Sequence, residues 1–430
     1  MKKLKVALVG CGDRGNVYAS HALRHPDEME ITAVVDVDPV ALNVTGDKFK
    51  IAANRRYLNI DDFITDKIEC DSVINATMDP AHYQTTKKLI YAGYKNILLE
   101  KPIVNNAEQL VELRDLANAE SVSVLICHVL RYTPFYREIK RIINSGRIGK
   151  ILTMEMNEHV WTIHFANSFV RGKWADEDVC GSGLLLQKCC HDTDLMCWLN
   201  NATEPKAVSS FGSRSLFIEN NAPKGATEYC YQCPDKDTCI YDAKTIHLDC
   251  DAFSWQTWTG LHKPLDKITR EEKEAFLKTD DYGKCVFKLK RNLVDRQDVS
   301  VQFKNGSVGT LTVVGGSTHA GRDIVIVGSK GEIRGRFEDN KFEIYETIHN
   351  GKDSRSVHET VDINKLLVKG SGHGSGDVCI MQDYVKFLNG DTSSISITAL
   401  SDSINGHLCV YAAEKSRKEE NVVEIESLTL

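Results

Sequence analysis

One segment near the N-terminus decides the fold of this chain: Lys5-Val6-Ala7-Leu8-Val9-Gly10-Cys11-Gly12-Asp13-Arg14-Gly15. Its first five residues are mostly apolar, which predicts a short buried strand. The rest has the spacing G-x-G-x-x-G and leads into a segment with helical periodicity, Val17 to Arg24. A strand, a glycine-rich turn and a helix in this order predict a unit that binds the pyrophosphate of a dinucleotide.

Each glycine of this turn has its own task. Gly10 permits the tight turn, Gly12 lets the main chain approach the pyrophosphate, and Gly15 lets helix and strand pack closely. Asp13 and Arg14 lie within the turn and are predicted to belong to the cofactor site. The helix that follows offers unpaired N–H groups to the phosphates.

A carboxylate follows the second predicted strand, at Asp36, about 20 residues beyond the turn. A carboxylate at this place accepts hydrogen bonds from a ribose 2′-hydroxyl and repels a 2′-phosphate. The sequence therefore predicts NAD, and not NADP, as the cofactor.

The elements around this turn predict two different sheets. Apolar strands alternate with helices over residues 1–130, which favours a doubly wound parallel sheet, an α/β Rossmann domain. From about residue 150 the strands alternate polar and apolar residues, and Asn305-Gly306 between two of them predicts a hairpin. We expect residues 131–430 to form an α+β domain with an open, mostly antiparallel sheet, with an insertion around residues 215–290. The helix predicted over Ala399 to Ser416 is expected to pack back on the first domain.

Composition excludes several classes of protein. Of the 430 residues, 42% are hydrophobic and 26% charged, with a formal charge of −7, which is typical of a globular protein and unfavourable for nucleic-acid binding. No apolar run reaches the roughly 18 residues of a membrane span, and the 14 cysteines are too sparse for a disulfide scaffold. We therefore expect a cytoplasmic protein with a small-molecule substrate and no membrane or nucleic-acid partner.

Further segments resemble the Gfo/Idh/MocA family of NAD(P)-dependent oxidoreductases. They stand in the family's order along most of the chain: Leu99-Glu100-Lys101-Pro102, Arg131-Tyr132-Thr133-Pro134, Gly181-Ser182-Gly183, His191-Asp192-Thr193-Asp194 and Gly328-Ser329-Lys330-Gly331. The resemblance implies a Rossmann domain joined to an open sheet domain, with a sugar, cyclitol or glycoside oxidised between them. It also implies a homo-oligomer, a dimer or a tetramer.

The resemblance also implies roles for individual residues. In the family's Glu-Lys-Pro motif the lysine binds substrate and takes part in proton transfer, which corresponds to Lys101. Thr77, His82 and Glu100 fall in segments that are expected to border the cofactor. The alternative for Lys101 is a surface lysine paired with Glu100.

The second catalytic segment departs from the family pattern. His191 matches the family histidine, and a neutral imidazole is a suitable general base. Family members usually carry Asp four residues earlier, where this chain has Gln187, followed by Lys188. A branch of the family similar to this sequence has Lys at that place, so Lys188 is a further candidate for catalysis. The alternative for His191 is a helix histidine without a chemical role.

Aromatic, basic and polar side chains elsewhere are predicted substrate contacts, because carbohydrate sites combine stacking faces with hydrogen-bond donors. These are Arg131, Tyr132, Trp161, His164, Arg171, Asp192 and His373. His373 lies in a glycine-rich loop, residues 370–376, which has the alternative of a plain connection before a helix.

A cysteine cluster predicts a metal centre in the insertion. Cys230, Cys233 and Cys239 follow the pattern C-x2-C-x5-C, which is typical of structural zinc in intracellular proteins. Cys285 is the favoured fourth ligand, with Cys250 and His247 as alternatives. An iron–sulfur cluster would use the same residues, and thiols without metal remain open.

Three functions follow from these residues. The first is NAD-dependent oxidation of a secondary hydroxyl of a carbohydrate. The second is hydrolysis or elimination of a glycoside through transient oxidation, with no net production of NADH. The third is a non-catalytic NAD-binding regulator, for which a missing lysine at position 101 would be the signature, and that lysine is present.

Overall fold

The chain folds around two sheets, which a computed structural model describes over residues 2–250, 252 and 256–429. The first sheet has six strands: β1 Leu4–Val9, β2 Met29–Val35, β3 Arg56–Tyr57, β4 Ser72–Asn75, β5 Asn96–Leu99 and β6 Ser123–Ile126. All of its pairings are parallel, in the order β3-β2-β1-β4-β5-β6. This is the strand order of a dinucleotide-binding domain, with the crevice where the order reverses, between β1 and β4.

Helices connect these strands: α1 Asp13–Ala19, α2 His21–Arg24, α3 Pro39–Lys48, α4 Ile60–Thr65, α5 His82–Tyr91 and α6 Ala107–Ala119. Polar caps explain where several of them begin. Asp38 accepts the main-chain N–H of Val40 ahead of Pro39, and Asn106 accepts that of Gln109. The bounds predicted for the helix over residues 17–24 are wrong. Helix α1 begins already at Asp13, and Ser20 separates it from the short helix α2.

The second sheet has nine strands. They are β7 Ile151–Trp161, β8 Pro205–Ser213, β9 Arg296–Phe303, β10 Val308–Ser317, β11 Asp323–Gly328, β12 Gly331–Arg336, β13 Lys341–Asn350, β14 Asp353–Asp362 and β15 Val423–Glu424. Their order is β14-β13-β12-β11-β7-β10-β9-β8-β15, and only the β7–β10 pairing is parallel. The predicted fold class is therefore confirmed, as is the hairpin at Asn305-Gly306, which joins the antiparallel strands β9 and β10.

The remaining helices are α7 Pro134–Asn144, α8 Thr162–Phe165, α9 Glu177–Cys180, α10 Cys190–Leu199, α11 Arg270–Leu277, α12 Gly376–Leu388 and α13 Leu400–Glu419. The last helix contacts α10 and β8 of the second domain and also α6 and β6 of the first. The chain also forms a π-helical turn directly after α8, Ala166–Arg171, and another directly before α10, Leu185–Cys189. Turns of this kind are rare in proteins as a whole, and those that occur are often found at functional sites.

Helix α12 returns to the first domain. Its apolar face, with Cys379, Ile380 and Tyr384, packs in the same core as Leu4 and Val6 of β1. The parallel sheet is thereby covered on both faces, as its nearly continuous apolar strands require. Helix α12 lies within residues 131–430, but these packing partners lie in the first domain.

A buried ion pair joins the domains close to the cleft. Arg131 donates from Nε and Nη2 to the two carboxylate oxygens of Asp194, both at 2.6 Å, and also pairs with Asp402. His128 Nδ1 lies 2.7 Å from Asp194 Oδ1, and His128, Arg131 and Asp194 are fully buried. Although burial opposes it, Arg131 and His128 lower the pKa of Asp194 to about 2.

We found no helix among the described segments that is both long and apolar enough to cross a bilayer. The predicted dimer or tetramer stays a prediction.

The ion pair leads to a stability prediction. Asp194→Asn leaves a buried guanidinium without its main counter-charge, so the free energy of unfolding in urea at neutral pH should fall by about 3–5 kcal/mol. The difference from wild type should shrink as the pH falls from the ordinary carboxyl pKa of 3.8 towards about 2, because protonation then removes the same charge in the wild type.

Glu332→Gln is the matched control, since Glu332 pairs with Arg334 on the surface, with 37% and 52% of the two side chains exposed. Its expected loss is below about 1 kcal/mol. Equal losses for the two variants would contradict the structural role of the buried pair.

Candidate active site

The glycine-rich turn has the geometry that a dinucleotide requires. Gly10 has φ +94°, and a Cβ there would lie 2.2 Å from the carbonyl oxygen of Ala76. A Cβ on Gly15 would lie 2.1 Å from the carbonyl oxygen of Gly10, so strand and helix touch at this point. A Cβ on Gly12 would meet no atom within 4 Å, since this residue faces an open groove. The main chain at Gly12 is thus free to approach a pyrophosphate.

Asp36 borders the same groove. Its Oδ2 accepts the main-chain N–H of Cys11 at 2.6 Å, and its Oδ1 accepts that of Asp38 at 2.8 Å. The two bonds orient the carboxylate beside the turn, and each oxygen keeps a second lone pair for a ribose hydroxyl. These residues fit NAD.

Arg14 and Glu100 serve the protein and leave little for a cofactor. Arg14 donates to Glu100 Oε1 at 2.9 Å and to Asp377 Oδ1 at 2.8 Å, so its charge is compensated twice. Glu100 is 5% exposed and also accepts from Tyr18 and from the main-chain N–H of Lys101. Their placement argues against the predicted cofactor contacts and makes them a link between α1, the end of β5 and α12.

Thr77 and His82 shape the loop that follows β4. Thr77 Oγ1 donates to Asn75 Oδ1 at 3.0 Å. The ring nitrogens of the buried His82 lie 2.6 Å from the carbonyl oxygen of Pro102 and 2.9 Å from that of Thr77. His82 therefore ties this loop to the one after Lys101, and its ring does not face the cofactor groove.

Lys101 crosses from the first domain to the second. Its Nζ donates to the main-chain carbonyl oxygen of Gln187 at 2.9 Å, within the π-helical turn Leu185–Cys189. In the described part of the chain Lys101 forms no salt bridge, so Glu100 is not its charge partner. The side chain of Gln187 instead donates to the carbonyl oxygen of Ser182 at 2.8 Å.

His191 lies beside Lys101 at the start of α10 and is 9% exposed. Burial is the main reason, and the Lys101 cation the second, why its pKa lies well below the usual range. The imidazole is therefore neutral at physiological pH, the state that accepts a proton. Its buried Nδ1 has no hydrogen-bond partner among the described residues.

A network of four charges surrounds this pair, and two of its members, Glu158 and Arg322, were not predicted from the sequence. Lys188 Nζ lies 3.3 Å from Glu158 Oε1. Arg322 lies 2.6 Å from Glu158 Oε2 and 2.8 Å from Asp192 Oδ1, and so joins β7 to α10. The two cations and two carboxylates compensate one another.

The network holds its two carboxylates at different pKa values. Burial, together with the neighbouring Glu158 carboxylate, raises the pKa of Asp192 to about 6. For Glu158 burial acts in the same direction, but Arg322 and Lys188 outweigh it and lower the pKa. Asp192 is therefore the member that takes up a proton first as the pH falls.

His164 and His373 lie near the same site, because His373 is close enough to act electrostatically on both His164 and His191. Burial, followed by Lys188 and Arg322, lowers the pKa of His164 to about 3, so this ring is also neutral. His373 Nδ1 lies 2.9 Å from Asp377 Oδ2, which connects the glycine-rich loop with Arg14. Trp161 ends β7 and is partly exposed. His164, His373 and Trp161 remain predicted substrate contacts.

Three other predicted substrate contacts are corrected by their packing. Arg131 is fully buried and held by Asp194, and Tyr132 is buried with its hydroxyl 2.9 Å from Thr398 Oγ1. Arg171 is 2% exposed and donates to the carbonyl oxygens of Lys284 and Tyr241. None of these guanidinium or phenol groups is open to a ligand in the cleft.

Arg171 belongs to the cysteine cluster instead. Its Nη2 lies 3.4 Å from Cys230 Sγ, and both residues line a cavity of about 20 Å³ together with Cys233, Cys239 and Cys285. Cys250 and His247 do not line it. Over the described ranges no three His, Cys, Asp or Glu side chains are arranged to hold one metal ion. Zinc and an iron–sulfur cluster therefore stay predictions.

The sequence signals for the two missed residues are weak but present. Glu158 and His159 are polar residues near the end of β7, and Glu158 occupies a position of this strand that faces the interior. Arg322 precedes β11 and carries no motif. Only the sheet, which places β7 beside β11, shows that the two side chains meet.

The turn gives a prediction about NAD binding. Gly12→Ala should fold with an unchanged thermal midpoint, because its Cβ has free space, while its dissociation constant for NADH rises at least about tenfold, because the methyl group stands where the pyrophosphate approaches. NADH fluorescence measures the dissociation constant.

Gly15→Ala is the control with the opposite pattern. Its Cβ collides with a main-chain oxygen inside the protein, so the thermal midpoint should fall. Unchanged NADH affinity in a folded Gly12→Ala protein would contradict the groove assigned here.

Comparison with known proteins agrees with this architecture. The Gfo/Idh/MocA profile described as "Oxidoreductase family, NAD-binding Rossmann fold" matches residues 4–128, and the one described as "Oxidoreductase family, C-terminal alpha/beta domain" matches residues 140–425. YteT of Bacillus subtilis (strain 168), named as an oxidoreductase, is 23% identical over 372 residues, which cover 84% of this chain and 83% of YteT.

Two further similarities concern enzymes named for polyols. The inositol 2-dehydrogenase/D-chiro-inositol 3-dehydrogenase of Lactiplantibacillus plantarum is 25% identical over 198 residues, 46% of this chain and 52% of that enzyme. The structure of a levoglucosan dehydrogenase in complex with NADH superimposes with a TM-score of 0.70 at 17% identity, covering 98% of this chain and 99% of the other. Together with the two matched domains, the glycine-rich turn and the Glu-Lys-Pro segment, these findings show that the chain belongs to the Gfo/Idh/MocA family of NAD-binding oxidoreductases.

Proposed function

We propose that this protein oxidises a secondary hydroxyl group of a sugar, cyclitol or glycoside, with NAD as the hydride acceptor. The observation that carries the proposal is the meeting of Lys101 and His191 in one cleft. One comes from the end of β5 and the other from the start of α10, and the Lys101 charge acts directly on the imidazole. An ammonium beside a neutral imidazole suits the removal of a hydroxyl proton.

The two side chains divide the work. The carbonyl oxygen of Gln187 accepts a hydrogen bond from one N–H of the Lys101 ammonium, which leaves two N–H groups for a substrate oxygen. His191 accepts the hydroxyl proton, and the Lys101 cation stabilises the negative charge that develops on the oxygen. When bound, NAD supplies the hydride acceptor, and the protein supplies the orientation of the reacting carbon.

The charges of the cleft support a neutral polyol as substrate. Lys188 and Arg322 are compensated by Glu158 and Asp192, so the network adds donors and acceptors without a net charge. A ring of hydroxyl groups, which both donate and accept, matches such a surface. The inositol and levoglucosan dehydrogenases among the similar proteins are named for substrates of this class.

We expect NADH to form when the purified protein is incubated with NAD and neutral polyols. The panel contains free sugars, inositols, levoglucosan and aryl glycosides, and both NADH absorbance and release of the aryl group are followed. NADH without aryl release supports the proposal. Aryl release without net NADH would replace it by the transient-oxidation reaction, and NAD binding without either product would leave a non-catalytic NAD-binding protein.

Two variants test the assigned residues. Lys101→Met and His191→Asn should each lower kcat at least about 100-fold, because they remove the ammonium and the proton acceptor. NADH affinity should change by less than about threefold, so the loss lies in the chemical step. Lys206→Met, which alters an exposed lysine of β8, should leave kcat unchanged. Full activity of Lys101→Met would remove that residue from the mechanism.

The charge network predicts a pH dependence. Asp192 takes up a proton as the pH falls through about 6, and Arg322 then loses one of its two partners, so kcat/KM should decline on the acid side with a midpoint near 6. His191 does not produce this decline, because it remains neutral over the same range.

Asp192→Asn should lower kcat/KM and remove that midpoint between pH 5 and 8, whereas Asp27→Asn, at an exposed site, should keep the wild-type profile. The same acid midpoint in Asp192→Asn would assign it to another group.

A further inference from the structure

Lys173 reaches across the cleft from the second domain to the first. It follows the π-helical turn Ala166–Arg171, and its Nζ lies 3.3 Å from Met78 Sδ, in the loop after β4. The ammonium also lies 4.5 Å from the centroid of the Trp174 ring, which supports the extended side chain. The side chain keeps contact with solvent, so it is open to a ligand in the groove.

The surroundings of this ammonium are acidic but do not neutralise it. The two carboxylates that act most strongly on the Lys173 ammonium are Asp79, in the loop after β4, and Asp13, in the glycine-rich turn. Neither forms a salt bridge with it, and none of the other described residues does. Desolvation of the ammonium in the cleft lowers the pKa of Lys173, although these two carboxylates act in the opposite direction.

Among the described residues of the glycine-rich turn itself, no cation is left unpaired for a pyrophosphate that passes Gly12. Arg14, the basic residue of the turn, is engaged by Glu100 and Asp377. The carboxylates of Asp13, Asp36 and Asp79 lie near the turn or near Lys173, and the Lys101 ammonium, which also lies within reach of Lys173, is bonded to the second domain. Main-chain N–H groups of the turn can bind a pyrophosphate, but the nearby carboxylates oppose its two negative charges, and a cation from the other side of the cleft would offset that repulsion.

We propose that Lys173 supplies this cation and binds the pyrophosphate of NAD from the second domain, so that the cofactor is held between the two domains. The inference depends on NAD binding, which the family shows, and it is independent of which polyol is oxidised. Its consequence is that bound cofactor draws the segment carrying Lys173 onto the glycine-rich turn. Lys173 is a binding residue here and takes no part in proton transfer.

Lys173→Met tests the proposal, since it keeps the length of the side chain and removes the charge. The dissociation constants for NADH and for ADP-ribose, which both carry the pyrophosphate, should rise about tenfold. That for adenosine, which lacks phosphate, should stay within twofold. The difference between wild type and variant should shrink at high salt, because salt screens an accessible ion pair.

Two variants serve as controls. Lys173→Arg should recover most of the NADH affinity, and Lys206→Met should bind NADH as the wild type does. The thermal midpoint of each protein, measured without ligand, verifies that the fold is kept. NADH affinity within twofold of wild type in a folded Lys173→Met protein would overturn the proposal. So would unchanged NADH affinity with a raised KM for the polyol, which would place Lys173 in the substrate site.

Discussion

The hydrogen bond from Lys101 Nζ to the carbonyl oxygen of Gln187 is the contact on which the site depends. It joins the end of a strand in the parallel sheet to a π-helical turn at the edge of the second domain. A main-chain carbonyl accepts a hydrogen bond from the ammonium without neutralising its charge, so the lysine is oriented and still charged.

The charged side chains around this bond form two groups, one fully buried and one at the cleft. Behind the cleft, Arg131, His128 and Asp194 form a fully buried cluster that holds α10 against the first domain. At the cleft, Arg322 bridges Glu158 and Asp192, which fixes β7 beside the segment that carries His191. Each of these three buried carboxylates, Asp194, Glu158 and Asp192, has a cation beside it, as burial of charge favours. Lys101 and Lys173 are the two cations of the cleft without a carboxylate partner among the described residues, and both face ligands in our account.

Much of this could be predicted from the sequence, because local patterns carry the information. The strand and glycine-rich turn at Lys5 to Gly15, with the helix that follows, predict the parallel sheet, and Asn305-Gly306 predicts a hairpin of the second sheet. Residues within one motif, such as Gly10 and Gly12, keep their predicted places because their task is set by the main chain itself.

The rest depends on pairings between distant segments. Arg14, Arg131 and Arg171 look like ligand contacts in the sequence, yet each is engaged by a carboxylate or carbonyl far along the chain: Asp377, Asp194 and Tyr241. For the same reason Glu158 and Arg322 were not predicted from the sequence, and neither was the packing of α12 on the first domain.

The central claim is that Lys101 and His191 face the reacting ring of a bound NAD. A crystal structure of the protein with NADH tests it most directly. Our account predicts the pyrophosphate at Gly12 and the nicotinamide ring in contact with the side chain of Lys101, with room for a hydroxyl group between Lys101 and His191. A nicotinamide ring turned away from Lys101, or a cofactor bound outside the groove at Gly12, would contradict it.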